Sequence, residues 1–175
     1  MTSKLKTDVL ETVSGSGTIA LTNQLTGMTH ASVPLLTEAQ MPAGSVIQVL
    51  TNKGSAGLSL TSGTFITTGM SLAITPSSTS NKILAMFQSS SLTTLAANTA
   101  INVSLRRSGT QVSYTSYYTA QQAGNQTVPV GTIHTLDSPA ATTAITYEVF
   151  VQRGGVSGTV QINGPLELTL MEIKG

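Results

Sequence analysis

The residues that could carry acid–base or metal chemistry are few and widely spaced in this sequence. Two histidines are present, His30 and His134. The seven carboxylates are Asp8, Glu11, Glu38, Asp137, Glu148, Glu167 and Glu172. No pair among them has the spacing of a metal-ligand motif or of an acid–base dyad, and the chain has no cysteine to offer a thiolate. We therefore expect no metal site and no cofactor.

Nucleophilic catalysis is not indicated either. His134 and Asp137 could join one of the 21 serines in a triad, but so many serines make the coincidence uninformative. Neither a GxSxG elbow nor a glycine-rich phosphate loop is present. The sequence thus predicts a protein that is not an enzyme. One alternative stays open, a polysaccharide-cleaving protein whose carboxylates come from distant strands or from adjacent subunits.

A cluster of tyrosines is the one local concentration of binding chemistry. Tyr114, Tyr117 and Tyr118 lie in SYTSYYTAQQAGNQT and are three of the seven aromatic residues in the chain. Aromatic rings beside amide side chains can stack on sugar faces while the amides bond hydroxyls, and they also suit protein interfaces. We expect these residues to contact a receptor. The alternative is that they are ordinary strand residues whose hydroxyls reach solvent or a neighbour.

The composition favours β-structure and a mostly neutral surface. The chain has 29 Thr and 21 Ser, and charged residues make up only 9% of it, against about 25% in typical soluble domains. β-branched residues fit a pleated sheet better than a helix. The net charge is +1 and no basic cluster exceeds Arg106-Arg107, so nucleic acid is not an expected partner. Since neither a signal peptide nor an apolar run of membrane-spanning length is evident, we expect synthesis in a cytoplasm.

The first 43 residues differ from the rest of the chain. Four charges occur in the first eleven positions, and the glycines at 15 and 17 separate two apolar groups. We expect an N-terminal attachment leader and linker over 1–43, followed by one domain over 44–175; a disordered leader is the alternative. The apolar positions of the leader that could attach it to another protein are Leu5, Val9, Val13, Ile19 and Leu21.

From Ser45 onward, short strands alternate with turn signals, which is typical of a sandwich or barrel. Period-two alternation predicts one buried face in several strands, for example at Ile101, Val103 and Leu105. The sequence NGP at 163–165 has the composition of a turn. The predicted strands are 45–51, 63–69, 70–74, 82–90, 100–107, 111–119, 128–136, 144–153, 158–162 and 166–173.

Some strands are apolar on both faces, notably 83–87 and 166–173. Such a strand must be covered on both sides, but in a two-layer sandwich the fold covers only the inner one. Outward-facing Met86, Phe150 and Met171 therefore predict contact with another chain. Scattered apolar residues, which are normal on any protein surface, are the alternative.

Four phrases resemble a group of bacteriophage tail-fibre-like and virion-associated proteins: MSLAITPSSTSNKILAMFQSS, SLRRSGTQV, HTLDSPAATTAITYEVFVQR and LTLMEIKG. The resemblance covers residues from about 70 to 175, and the DSPA and MEIKG segments are its most specific parts. The leader is similar, less specifically, to N-terminal attachment repeats of such fibres. The resemblance implies an all-β jelly-roll β-sandwich of the tumour necrosis factor and C1q type, assembled as a homotrimer.

These observations lead to one expected function and one competitor. We expect a homotrimeric short tail-fibre or receptor-binding component that docks to other virion proteins through its leader and contacts a host surface glycan or protein. Because no long shaft separates leader and domain, a capsid decoration or head-fibre (cement) protein stays open. In either case we expect a location in the virion, after synthesis in the host cytoplasm, without membrane insertion.

Overall fold

The computed structural model describes residues 37–54, 57–96, 98–118, 126–155 and 157–175. Glu38–Gly175 form one compact unit, which opens with a short 3₁₀ helix, Glu38–Gln40. In these ranges no helix is both long and apolar enough to cross a membrane. The predicted attachment leader lies outside the described residues over 1–36.

Nine β-strands are formed in the described part of the chain. They are β1 Val46–Gly54, β2 Leu58–Leu60, β3 Ile66–Ile74, β4 Lys82–Thr94, β5 Ala100–Arg107, β6 Thr110–Tyr118, β7 Gln126–Asp137, β8 Ile145–Gly154 and β9 Val160–Ile173. The sequence pattern located all of them within a few residues except the short β2.

The strands form two packed antiparallel sheets. Sheet A has the order β1-β9-β4-β7, with β2 also paired to β9, and sheet B has the order β3-β8-β5-β6. Most successive strands lie in opposite sheets, so the chain repeatedly crosses from one layer to the other. Without the short β2, the eight other strands form two four-stranded sheets with the strand orders of a jelly roll. The predicted fold class, an all-β jelly-roll β-sandwich, is confirmed.

The core lies between the two sheets and is built from the predicted alternation. Side chains of successive strand residues point to opposite faces, and Val103 and Leu105 of β5 are 2% and 0% exposed. They belong to one core cluster with Val149 of β8 and with Leu168 and Leu170 of β9. The inner faces are therefore predominantly apolar, and the outer faces are available for other roles.

The predicted turn at 163–165 is wrong, because these residues lie inside β9. The pairing of β9 with β4 shifts register opposite Ser90, which marks a β-bulge. Proline has no N–H for the ladder and is tolerated at such a bulge. The Ser90 hydroxyl donates to the carbonyl oxygens of Asn163 at 3.0 Å and Gly164 at 2.6 Å. The turn-type residues here bend a strand and do not end it.

A second bulge joins the predicted strands 63–69 and 70–74 into the single strand β3. The pairing with β8 shifts between Thr67 and Ser71. Gly69, between them, has a φ of 79°, a backbone conformation that glycine adopts without strain. The sequence predicted two strands here, whereas the structure has one strand in which Gly69 accommodates an irregularity.

Candidate functional site

The outer face of sheet A carries a row of apolar side chains. Pairing places Val49 opposite Met171, Met171 opposite Leu84, and Leu84 opposite Leu136, so the row crosses β1, β9, β4 and β7. Val49 and Leu136, at its two ends, are 51% and 54% exposed. Met86 lies beside the row, two residues after Leu84 on the same face of β4. We call these residues the apolar belt: Val49, Leu84, Met86, Leu136 and Met171.

A depression of about 430 Å³ lies next to the belt. Its lining combines Met86 and Met171 with polar side chains that include Gln88, His134 and Glu167. Met86 and Met171, two of the three residues that the sequence predicted at an interface, therefore lie close together. They lie on a surface that mixes apolar contact area with hydrogen-bonding groups.

Phe150, the third residue predicted at an interface, lies on the outer face of sheet B. Its neighbours Val149 and Val151 are fully buried, and Phe150 itself is partly buried. The guanidinium carbon of Arg106 lies 4.3 Å from the centroid of the Phe150 ring. Phe150 is thus partly covered by its own chain and does not share a surface with Met86 and Met171.

Two of the three predicted receptor-contact tyrosines lie on opposite faces of β6. Tyr114 is 48% exposed and meets Phe65 edge-on, with ring centroids 6.3 Å apart. Tyr117 packs against the core, accepts a hydrogen bond from the Thr132 backbone N–H at 2.6 Å and donates one to the Thr132 carbonyl oxygen. Because Thr132 belongs to β7, Tyr117 links the edges of the two sheets. The side chain of Tyr118 lies outside the described residues.

His134 and Asp137, considered above for a triad, lie on opposite faces of β7. His134 is exposed on the outer face of sheet A. Asp137 accepts two hydrogen bonds from the Arg107 guanidinium, at 2.9 and 2.7 Å, and one from the Tyr147 hydroxyl at 2.6 Å. Burial, and then the bond to Asp137, raise the pKa of the Tyr147 hydroxyl. The Asp137 carboxylate, on β7 of sheet A, therefore binds two residues of sheet B and helps to join the two sheets.

A buried carboxylate that sequence reasoning missed lies at the end of β9. Glu172 is fully buried and accepts hydrogen bonds from Gln48 Nε2 at 2.6 Å, Ser77 N and Oγ at 2.7 and 2.6 Å, and Asn81 Nδ2 at 2.7 Å. These donors come from β1 and from the segment between β3 and β4. No local signal could have found this cluster, because its members are distant in sequence.

The segment 38–41 is hydrogen-bonded at the same end of the domain. The ammonium of Lys174 donates to the carbonyl oxygens of Glu38 at 2.6 Å, Ala39 at 3.2 Å and Met41. Asn81 Nδ2 also donates to the Glu38 carboxylate at 2.9 Å. Lys174 and Asn81 therefore hold the segment 38–41 against the end of β9.

Some predicted site residues lie outside the described residues. These are the attachment positions Leu5, Val9, Val13, Ile19 and Leu21, together with His30. Among the residues that the structure describes, no group of three His, Asp or Glu side chains could hold a metal ion. No family model and no curated protein matches this chain.

Proposed function

We propose that this chain is a structural protein of a bacteriophage virion, a homotrimeric short tail-fibre or receptor-binding component attached through its N-terminal segment. The observation that carries the proposal is the apolar belt on the outer face of sheet A. Apolar side chains continuous across four strands are costly to leave in water, and such patches mark association surfaces. The resemblance to phage virion proteins supplies the phage context and the trimer.

A second copy of the chain is the occupant that we assign to the belt. Charge does not oppose self-association, since the net charge is +1 and the belt itself is uncharged. Of the ion pairs in the described residues, Lys53–Glu167 at 3.7 Å lies on this face and its two charges offset each other. A closed trimer of jelly rolls would cover the three belts at once.

The outer face of sheet B favours the receptor-binding role over the decoration role. It carries the exposed Tyr114 and, beside it, the partly exposed Phe65 and Arg106. Tyrosine and arginine are among the residue types that concentrate binding energy at interfaces. The competing function, a capsid decoration or head-fibre protein, requires the belt but gives this second surface no role.

The assembly is tested by measuring the mass of the full chain in solution at micromolar concentration. We expect a trimer for the natural sequence. Met86→Glu places a charge in the belt, and burying it unpaired should weaken the trimer by roughly a hundredfold or more. Thr110→Glu adds the same charge at an exposed position of sheet B and should leave the trimer unchanged. A monomeric natural chain, or a trimeric Met86→Glu variant, would contradict the assignment.

The role is tested on the phage particle. Mass spectrometry of purified virions should detect the chain, and labelling should place it on the tail. The purified protein should bind host cells and compete with phage adsorption. A large copy number on the capsid, loss of capsid stability without the protein, and no cell binding would establish the decoration role instead.

A further inference from the structure

The outer face of sheet B holds an arginine fixed between two aromatic rings. The guanidinium carbon of Arg106 lies 4.3 Å from the centroid of the Phe150 ring and 5.1 Å from that of Phe65. An arginine held in this way loses little conformational entropy when it binds a ligand, because its planar group is already positioned. Phe65 in turn meets the exposed ring of Tyr114. Arginine and tyrosine thus flank one phenylalanine.

The guanidinium of Arg106 has no anionic partner in the part of the chain that the structure describes. The ion pairs there are Lys53–Glu167 and Arg107–Asp137. Within the described ranges, the Arg106 side chain forms one hydrogen bond, from Nε to the Ser104 hydroxyl at 3.5 Å. Its two terminal nitrogens, which form the fork that binds carboxylates, therefore remain available.

The neighbouring Gln111 side chain uses its acceptor oxygen within the domain and keeps its amide N–H donors. The Ser104 hydroxyl, which is fully buried, donates to Gln111 Oε1 at 3.0 Å. Gln111 is exposed, and with its oxygen engaged its Nε2 group is the part free to bond a ligand. The surface thus presents N–H donors from Arg106 and Gln111. A complementary ligand must bring acceptors, and preferably a negative charge.

Tyr114 adds a stacking surface to these donors. Its ring is 48% exposed, and its contact with Phe65 has an interplanar angle of 84°, so at least one of its faces is not stacked on Phe65. The C–H groups of a sugar ring are attracted to such a face because the π-system carries negative charge there. A sugar that carries a carboxylate satisfies the ring and the donors together.

We infer that the outer face of sheet B binds an acidic saccharide, with the carboxylate of a uronic acid on Arg106 and Gln111 and its sugar ring on Tyr114. This inference rests on the proposed receptor-binding role and names the ligand class for it. Glu148 is paired opposite Arg106 on β8 and forms no ion pair in the described residues. Its charge disfavours a carboxylate on the β8 side, so the ligand lies on the Tyr114 side.

The inference is tested by calorimetric titration of the full chain with oligosaccharides of glucuronic, galacturonic and mannuronic acid. Each is compared with the same oligosaccharide after reduction of its carboxyl groups to alcohols. At least one acidic form should bind roughly tenfold more tightly than its reduced partner, because a charge-assisted arginine bond is lost on reduction. If no acidic form binds more tightly than its reduced partner, the inference is wrong.

Variants of the surface residues separate ligand contact from folding. Arg106→Gln and Tyr114→Ala should each weaken binding by roughly tenfold, whereas Lys53→Gln removes a positive charge from sheet A and should change it less than about twofold. Glu148→Gln removes a repulsive charge and should strengthen binding by about two- to fivefold, a gain that no folding defect would produce. Unchanged binding by Arg106→Gln, or tighter binding of a phosphorylated neutral oligosaccharide than of the uronates, would overturn the assignment.

The saccharide titration and the experiments on the phage particle can fail separately. A chain that is found on the phage tail and binds cells, but prefers no uronate, leaves the proposed function intact and removes only the acidic-saccharide ligand. A chain that prefers uronates but is absent from virions keeps the ligand and removes the virion role.

Discussion

Replacement of Glu172 by glutamine is the sharpest test of how this domain is held together. The carboxylate is fully buried and, in the part of the chain that the structure describes, it has no cationic partner. Its Oε1 accepts three hydrogen bonds, from the backbone N–H and hydroxyl of Ser77 and from Asn81, and its Oε2 accepts one, from Gln48. Four donors therefore converge on a group that can only accept.

The magnitude follows from this geometry. In Glu172→Gln the amide oxygen can still accept the three hydrogen bonds from Ser77 and Asn81, but the amide nitrogen then faces the N–H donor of Gln48. Gln48 cannot reverse its own amide without cost, because the same nitrogen also donates to the Thr75 carbonyl oxygen at 2.9 Å. One hydrogen bond to a charge is lost and three become neutral, so we expect a loss of about 3 kcal/mol in the free energy of unfolding.

The pH dependence gives an independent check. Burial raises the pKa of Glu172, but hydrogen bonds from Asn81, Ser77 and Gln48 outweigh it and hold the pKa below the ordinary value of 4.5. Because the folded pKa is lower than the unfolded one, the stabilisation is complete above about pH 4.5 and is lost as the pH falls through the folded pKa. The difference between natural chain and variant should therefore shrink on acidification.

The assay is chemical denaturation of both proteins at one fixed protein concentration, at pH 7 and at pH 3. Glu167→Gln is the matched control, since Glu167 is 31% exposed and its ion pair with Lys53 is 3.7 Å long; we expect it to cost less than about 1 kcal/mol. A Glu172→Gln loss no larger than this control, or a loss equal at both pH values, would refute the reasoning.

Two further substitutions test the contacts between strands. Tyr117→Phe removes the hydroxyl that bonds both backbone groups of Thr132 and should lower the free energy of unfolding, measured by denaturation, by about 1–3 kcal/mol. Tyr114→Phe, at the exposed position, should lower it by less than about 0.5 kcal/mol. Equal effects would mean that the hydroxyl of Tyr117 does not join the sheets. Gly131→Ala would place a Cβ 2.5 Å from Leu92 Cδ1 and should cost about 1–3 kcal/mol in the free energy of unfolding. If the two side chains collide, the double variant Gly131→Ala/Leu92→Ala should lose less than the sum of the two single variants.

The strand pattern was predictable because alternation is a local property. Ile101, Val103 and Leu105 had to share one face of any strand, and they are buried in β5. The errors arose where turn-type residues serve inside a strand. The sequence at 163–165 has turn chemistry in isolation, and only the pairing of β9 with β4 converts it into a bulge. Pairing is a long-range property that composition does not reveal.

The site residues show the same difference between local and long-range information. Period two already implied that Tyr114 and Tyr117 lie on opposite faces, so their separation could have been predicted from the spacing alone. The burial of Glu172 could not, because its partners at 48, 77 and 81 approach only when the sandwich closes. The pairing of Arg106 with Phe65 likewise joins β5 to the residue preceding β3.

The two outer faces differ in a way that bears on how one small domain could both assemble and bind. Sheet A presents a row of uncharged apolar side chains, which suits permanent burial against another copy. Sheet B presents an arginine and an exposed tyrosine among donors, which suits a soluble ligand. Because the core separates these faces, a change on one should leave the other intact. In the proposed assembly, self-association and ligand binding could then vary independently, and sheet B could acquire a new ligand specificity without weakening the proposed trimer.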